Sequence, residues 1–285
     1  AMPNPLPIYK SDEGREKIQT FYRNVLSTVQ PPLQTRVVPT SGGRTHIIEA
    51  GRRDADTMLL LHGSASNSMA WLGDTPLWGT RFRIIAPDTP GHPGLSEDAL
   101  FPLSGGSMAR WIGDILEAVG ADRVRIVGMS LGAWAGLDYA IRNPKRVLAL
   151  SVIAPSGLAP VRTSFLFKAI PLSFMGDRGA DWVSRLVFNN DDIPDPVLEF
   201  GRLVSRHYRP MTEQPRVFPD AELSGLTMPI QYFGGAHDAL VRTRESAERL
   251  SRLLPHTEVH LLADQGHAII DQGQTIMSFH CKAAT

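Results

Sequence analysis

Six short apolar runs, most of them separated by segments long enough for a helix, constrain the fold of this chain more than any other feature. The runs lie at 58–61, 82–86, 124–127, 147–153, 230–233 and 259–262, and the helix-length segments at 67–78, 106–119, 131–143, 243–254 and 268–280. An unbroken apolar run is typical of a strand that is buried on both faces of a sheet. Strands that alternate with helices form βαβ units, so we predict an α/β fold with a parallel sheet.

Two further elements precede these runs. Apolar residues at helical spacing within 14–29 predict an amphipathic helix on the outside of the core. Residues 35–39 and 45–49 flank the turn sequence Ser41-Gly42-Gly43 and predict a hairpin. The hairpin raises the expected number of strands to eight, in a mostly parallel sheet that is flanked by helices.

Between residues 155 and 222 the alternation stops. This segment contains no apolar run of strand length, is rich in aromatic residues and proline, and is too long for a plain loop. We therefore predict a helical cap at 155–222, inserted after the sixth strand of a core domain that is formed by 1–154 and 223–285. The alternative is an additional helical layer that has no part in the functional site.

Composition excludes several classes of partner. The 29 Lys and Arg residues balance 29 Asp and Glu residues, and no dense basic run occurs, so we expect no nucleic-acid partner. The single cysteine, Cys281, cannot form an internal disulfide, and the nine histidines are not grouped as in a zinc site, so we expect a cytoplasmic protein without a metal ion. No apolar stretch reaches the ~18 residues that a membrane span requires.

The sequence Gly128-Met129-Ser130-Leu131-Gly132 contains a candidate nucleophile. It has the G-x-S-x-G pattern between a predicted strand and a predicted helix, which is the context of a strained turn that exposes a serine hydroxyl. The alternative is a serine that caps the helix and is followed by a close-packed glycine. Gly105-Gly106-Ser107-Met108-Ala109 is a looser version of the pattern, but it follows a loop, so we interpret Ser107 as a helix N-cap.

A serine nucleophile needs a base, and a histidine base needs a carboxylate that fixes its tautomer. His267 follows the last apolar run, within Asp264-Gln265-Gly266-His267, and we predict it to be the base. Asp238 lies just beyond the run at 230–233, and we predict it to be the acid, with Asp264 as its competitor. The order Ser130, Asp238, His267 is the one expected on this kind of sheet.

Acyl transfer also requires N–H donors for the developing oxyanion. We expect one donor from the backbone of Leu131, directly after the candidate nucleophile. We expect the other from Ser64, in the loop that follows the run at 58–61, with Ala65 as the alternative. His62 is interpreted as an organiser of this loop.

Apolar side chains next to these motifs are candidates for substrate binding, namely Met129, Trp71 and Ala65. We expect them in a pocket between the carboxyl edge of the sheet and the cap. The alternative is that such side chains belong to the core, which is our interpretation of Trp134. Since no Arg or Lys can be placed in the pocket, the expected substrate is small and mainly apolar.

Five segments resemble the α/β-hydrolase superfamily, and the front portion of the chain is similar to bacterial serine carboxylesterases. They are Leu61-His62-Gly63-Ser64, the stretch from Asp88 to Ser96, the turn at Ser130, the segment that ends at Asp238, and Gly266-His267. The resemblance implies serine-based ester hydrolysis without a cofactor, and it implies no particular substrate. Relatives that open epoxides use an aspartate where this chain has Ser130. Pro93 departs from the usual pattern, and the lipase-type loop with three glycines is absent.

The sequence therefore predicts a serine hydrolase that cleaves small-molecule carboxylic esters through a Ser-His-Asp triad and an acyl-enzyme, as a monomer or a homodimer. A C–C bond hydrolase and a lactonase are alternatives that use the same triad. A non-catalytic ligand-binding protein on the same fold is an alternative of a different class.

Overall fold

The computed structural model describes residues 7–283, apart from the side chains at positions 166–168, 170 and 173. In this part of the chain eight strands form one sheet: β1 (Gln34–Thr40), β2 (Gly43–Gly51), β3 (Thr57–Leu61), β4 (Arg83–Pro87), β5 (Val124–Met129), β6 (Val147–Ile153), β7 (Ile230–Gly235) and β8 (Glu258–Leu262). Their order is β1-β2-β4-β3-β5-β6-β7-β8. The pairs β1–β2 and β2–β4 are antiparallel and all other pairs are parallel, so the predicted mostly parallel, eight-stranded sheet is confirmed.

Helices surround the sheet, and ten α-helices lie within residues 7–283. They are α1 (Asp12–Thr28), α2 (Thr75–Trp78), α3 (Ser107–Ala118), α4 (Leu131–Arg142), α5 (Ser164–Ser173), α6 (Gly176–Phe188), α7 (Asp195–His207), α8 (Asp220–Leu223), α9 (Thr243–Leu253) and α10 (Gly273–Lys282). On one face of the sheet α3, α4 and α9 contribute Trp111, Trp134 and Leu250 to the core. On the other face α1, α2 and α10 contribute Tyr22, Trp78 and Ile276.

The central strands are apolar throughout because each of their faces meets one of these helical layers. In β3, Leu59 and Leu61 pack into the first layer, whereas Met58 and Leu60 pack into the second. The run at 259–262 does form a strand, β8, but the expectation that both of its faces are buried is wrong. β8 is the edge strand beside β7, and the side chain of Leu261 is 55% exposed.

Two local expectations about helices are also corrected. The segment 67–78 is not one helix: a 3-10 turn, Ser68–Trp71, is separated from α2 by Leu72, Gly73 and Asp74. Ser107 is not an N-cap but the first residue of α3, and the capping position belongs to Gly106 in the left-handed conformation with φ 72°. The Ser107 hydroxyl instead donates to the carbonyl of Ser104, at 2.9 Å.

Between β6 and β7 the chain forms α5 to α8 and adds no strand to the sheet, in a segment whose backbone is described throughout. Its last part returns to the core, where Phe218 stacks on Trp134 with ring centroids 5.8 Å apart. The N-terminal part of the chain also contacts this segment, because Phe21 of α1 stacks on Phe200 of α7 at 5.8 Å. The division into a core and a cap at 155–222 stays a prediction.

Candidate active site

Ser130 lies at the turn where β5 ends and α4 begins. Its backbone has φ 53° and ψ −112°, a conformation that is strained for any residue other than glycine. The flanking glycines allow the tight turn: a Cβ at Gly128 would lie 2.6 Å from the carbonyl oxygen of Gly132, and a Cβ at Gly132 would collide with the carbonyl of Leu61. The Ser130 hydroxyl is therefore held at the carboxyl edge of the sheet, beside the N-terminus of α4.

The structure brings Ser130, His267 and Asp238 into one chain of hydrogen bonds. The distance from His267 Nε2 to Ser130 Oγ is 2.9 Å, and that from His267 Nδ1 to Asp238 Oδ2 is 2.8 Å. Asp238 is itself fixed, because its Oδ1 accepts hydrogen bonds from the backbone N–H groups of Leu240 and Val241 at 2.7 and 2.8 Å. With Nδ1 donating to the carboxylate, Nε2 is available to accept the hydroxyl proton of Ser130.

The two expected oxyanion donors are the backbone of Leu131, next to Ser130 in the chain, and that of Ser64, in the loop that follows β3. Leu131 begins α4, where N–H groups have no partner within the helix, and no described residue accepts a hydrogen bond from the N–H of Leu131 or of Ser64. The loop after β3 approaches the serine closely, since a Cβ at Gly63 would lie 3.5 Å from the Cβ of Ser130. The N–H of Ala65, the alternative donor, is already engaged by His92 Nδ1 at 3.1 Å, which favours Ser64.

His62 contacts backbone groups on both sides of its ring, one in its own loop and one in the segment that follows β4. Nδ1 donates to the carbonyl of Gly63 at 2.8 Å, and Nε2 accepts from the N–H of Thr89 at 2.9 Å. The Gly63 carbonyl and the Ser64 N–H belong to the same planar peptide, so His62 fixes the direction of that N–H. Burial lowers the pKa of His62, and a neutral imidazole is the form that offers one donor and one acceptor.

The candidate substrate-binding residues are distributed between the site and the core. Met129 precedes Ser130 and Ala65 lies in the loop after β3, and both are half-buried. Trp71 is only 3% exposed and packs against Trp78 in the core, with ring centroids 6.0 Å apart. This burial argues against direct contact between Trp71 and a substrate.

Asp264, the competing candidate for the acid, lies outside the hydrogen-bonded chain. Asp264 is exposed, and its carbonyl oxygen accepts a hydrogen bond from the side-chain amide of Asn189 at 3.4 Å. The carboxylate that contacts the His267 ring is that of Asp238.

Asp88, which the sequence analysis did not single out as a candidate, is a buried carboxylate just beyond the carboxyl end of β4. Asp88 follows β4 and accepts hydrogen bonds from the Tyr22 hydroxyl, the ring of His46 and the N–H groups of Ser68 and Leu95, at 2.9 to 3.1 Å. Burial opposes ionisation of Asp88, but the hydrogen bond and charge of His46 outweigh it, so the pKa lies below its usual value. The sequence feature that could have identified Asp88 is its position just after the apolar run at 82–86.

Two absences hold for the described part of the chain. No group of three or more His, Cys, Asp or Glu residues is placed to hold a metal ion there. No helix in residues 7–283 is both long enough and apolar enough to cross a membrane.

Comparison with known proteins shows which family this chain belongs to. The model of the alpha/beta hydrolase family matches residues 58–276. Carboxylesterase YbfK of Bacillus subtilis is 28% identical to this chain in an alignment that covers 86% of this chain and 86% of YbfK. The crystal structure of the same enzyme, also called CesB, superposes with a TM-score of 0.86 and covers 95% of this chain and 99% of the CesB chain. Carboxylesterase nap of the same organism is 26% identical over 91% of this chain and 88% of its own. A 2-hydroxy-6-oxononadienedioate/2-hydroxy-6-oxononatrienedioate hydrolase of Pseudomonas putida is 24% identical over 75% of this chain and 82% of its own.

Proposed function

Because this chain belongs to the alpha/beta hydrolase family and is a carboxylesterase-type hydrolase, we propose that it cleaves carboxylic esters with Ser130 as nucleophile, His267 as base and Asp238 as acid. The observation that carries the proposal is the unbroken chain of hydrogen bonds from Asp238 through His267 to Ser130, 2.8 and 2.9 Å long. The strained backbone of Ser130 supports it, since strain of this kind is retained where it serves a site.

In the first half of the reaction, His267 Nε2 accepts the hydroxyl proton while Ser130 Oγ attacks the carbonyl carbon of the ester. Asp238 holds the other imidazole proton at Nδ1 and stabilises the imidazolium cation that forms. The N–H groups of Ser64 and Leu131 donate to the oxyanion of the tetrahedral intermediate. His267 then transfers its proton to the oxygen of the leaving alcohol, which leaves the acyl group on Ser130.

In the second half, water takes the place of the alcohol. His267 Nε2 accepts a proton from the water as its oxygen attacks the acyl carbon, and the same two N–H groups hold the second oxyanion. Collapse of this intermediate returns the proton to Ser130 Oγ and releases the carboxylic acid. The cycle uses only the side chains and amides named above.

The substrate we propose is a small, mainly apolar ester. Met129, which precedes the serine, and Ala65, in the loop after β3, are half-buried, and in this proposal they present apolar surface to the acyl or alcohol part. We also propose that residues 155–222 act as the cap that limits substrate size, a role supported by the contact of α6 with the loop that carries His267.

Hydrolysis of a C–C bond is the second candidate. The Pseudomonas putida relative acts on 2-hydroxy-6-oxononadienedioate, and a serine triad of the same geometry can serve such a reaction. Lactones are cyclic esters and would be cleaved by the same steps as open-chain esters.

A substrate panel tests these alternatives on the full chain. It contains p-nitrophenyl acetate, butyrate and octanoate, a δ-lactone and a 2-hydroxy-6-oxodienoate. We expect the highest kcat/KM on a short p-nitrophenyl ester, and Ser130→Ala should lower kcat by at least about 10³-fold. Ser107→Ala, in the similar Gly-Gly-Ser-Met-Ala sequence, is the matched control and should keep the wild-type rate.

Two outcomes would change the proposal. A near-wild-type rate in Ser130→Ala would overturn the role of the triad. A higher kcat/KM on the oxodienoate than on every ester would favour the C–C bond hydrolase.

A further inference from the structure

The loop that carries the Ser64 N–H is held by two buried imidazoles, and only one of them belongs to the loop itself. His62 fixes the peptide that contains the Ser64 N–H, through the carbonyl of Gly63. His92 lies 27 residues after Ala65 in the chain, beyond β4, and its Nδ1 accepts the N–H of Ala65 at 3.1 Å. Consecutive peptides of the loop are thus bound by different histidines.

The second contact matters because of the backbone of Ala65. This residue has φ 53°, in the left-handed region that is unfavourable for alanine. The side chain of Ala65 cannot form a hydrogen bond that would offset this strain. The hydrogen bond to His92 is therefore the interaction that opposes rotation of the peptide between Ser64 and Ala65.

The ring of His92 is well placed to remain an acceptor. It is 5% exposed and packs edge-on against His62, with ring centroids 5.8 Å apart. Burial first, and then the proximity of the ionisable ring of His62, lowers the pKa of His92 to about 3. At neutral pH the ring is therefore uncharged, and Nδ1 keeps the lone pair that receives the Ala65 N–H.

We propose that His92 is a positioning residue of the oxyanion hole, which holds the peptide after Ser64 so that the Ser64 N–H points at the ester carbonyl oxygen above Ser130. The inference rests on the proposed function, because it concerns the same reaction. It adds that the loop needs an acceptor supplied from the distant segment 88–96. His92 acts through the backbone of Ala65, so a loss of this residue should affect the transition state more than the bound substrate.

Three variants of His92 separate this role from simple packing. His92→Phe keeps an aromatic ring beside His62 but removes the acceptor, and we expect kcat on p-nitrophenyl acetate to fall about 10- to 100-fold with KM changed less than about twofold. His92→Asn places an amide oxygen near the position of Nδ1 and should recover most of the lost kcat. His92→Gln, whose amide lies further from the backbone, should recover less than Asn, and this comparison remains available if the Phe variant does not fold.

Thermal unfolding of each variant, and Ser130→Ala in the same assay, complete the experiment. A wild-type kcat in His92→Phe would overturn the proposal, and so would equal losses in the Phe, Asn and Gln variants at unchanged Tm. If Ser130→Ala instead retains activity, the proposed function fails first, and the positioning role falls with it. These two failures are distinct, because only the second involves the Ser130 variant.

Discussion

The carbonyl oxygen of Val187, near the end of α6, accepts a hydrogen bond from the backbone N–H of His267 at 2.8 Å, and a second from Ala268 at 3.0 Å. Gly266 permits this approach, because a Cβ there would lie 2.7 Å from the same carbonyl oxygen and 3.0 Å from Asn189. The segment between β6 and β7 thus binds the backbone of the loop that presents the proposed base.

Gly266→Ala should therefore impair catalysis. The added methyl group forces the loop away from Val187 and moves His267 with it, and a misplacement of about 1 Å can lower a rate about 10²-fold. We expect kcat to fall at least about tenfold and the free energy of unfolding to fall by about 1–3 kcal/mol. Steady-state kinetics and urea unfolding of the same preparation measure both.

Gly113→Ala is the control for this variant. Gly113 lies within α3, where a Cβ would meet no atom within 4 Å. Because alanine favours a helix over glycine, this change should raise the free energy of unfolding by about 0.5–1 kcal/mol and leave kcat unaltered. A wild-type kcat in Gly266→Ala would show that the Val187 contact does not position His267.

The two aspartates that sequence reasoning weighed against each other predict opposite results. Asp238→Asn replaces the acceptor of the His267 Nδ1 proton and favours the wrong tautomer, so kcat at pH 7 should fall about 10³- to 10⁴-fold with a small change in KM. Asp264→Asn, at an exposed position, should leave both constants near wild type. The reverse result in this pair would make Asp264 the partner of the base.

The parts of the site that could be predicted are those encoded by short segments at strand ends. Ser130 lies between a run of apolar residues and a helix-length segment, and Asp238 and His267 each follow an apolar run. In a parallel sheet these strand ends share one edge, so the position of each residue just after a strand already implies that the three lie at the same edge.

The parts that could not be predicted depend on contacts between distant side chains or on backbone detail. His46 is 6% exposed and bonded to Asp88, 42 positions away, and no feature of the sequence around His46 indicates that contact. The break between the 3-10 turn and α2 is invisible to apolar spacing, because Trp71 and Trp78 are both buried on either side of it. The Val187 contact joins two backbones, and a backbone carbonyl leaves no signal in residue identity.

The strained backbone of Ser130 predicts a difference between two inactive variants. Alanine retains the Cβ that makes φ 53° unfavourable, whereas glycine adopts this conformation readily. We expect Ser130→Gly to be more stable than Ser130→Ala by about 1 kcal/mol in urea unfolding. Equal stabilities, or a more stable alanine variant, would show that the turn does not strain residue 130.

The buried carboxylate of Asp88 predicts a dependence of stability on pH. Asp88→Asn loses a charged acceptor of several hydrogen bonds and should lower the free energy of unfolding at pH 7 by about 2–4 kcal/mol. Since the folded-state pKa of Asp88 lies below the unfolded value of about 3.9, the wild-type advantage is complete above that pH and is lost as the pH falls from there through the folded-state pKa. Urea unfolding should therefore show a smaller difference in the free energy of unfolding between wild type and Asp88→Asn at pH 3 than at pH 7. The control is Asp54→Asn, in an exposed pair with Arg52, whose free energy of unfolding should match that of wild type at pH 7. A difference that is the same at both pH values would contradict the depressed pKa.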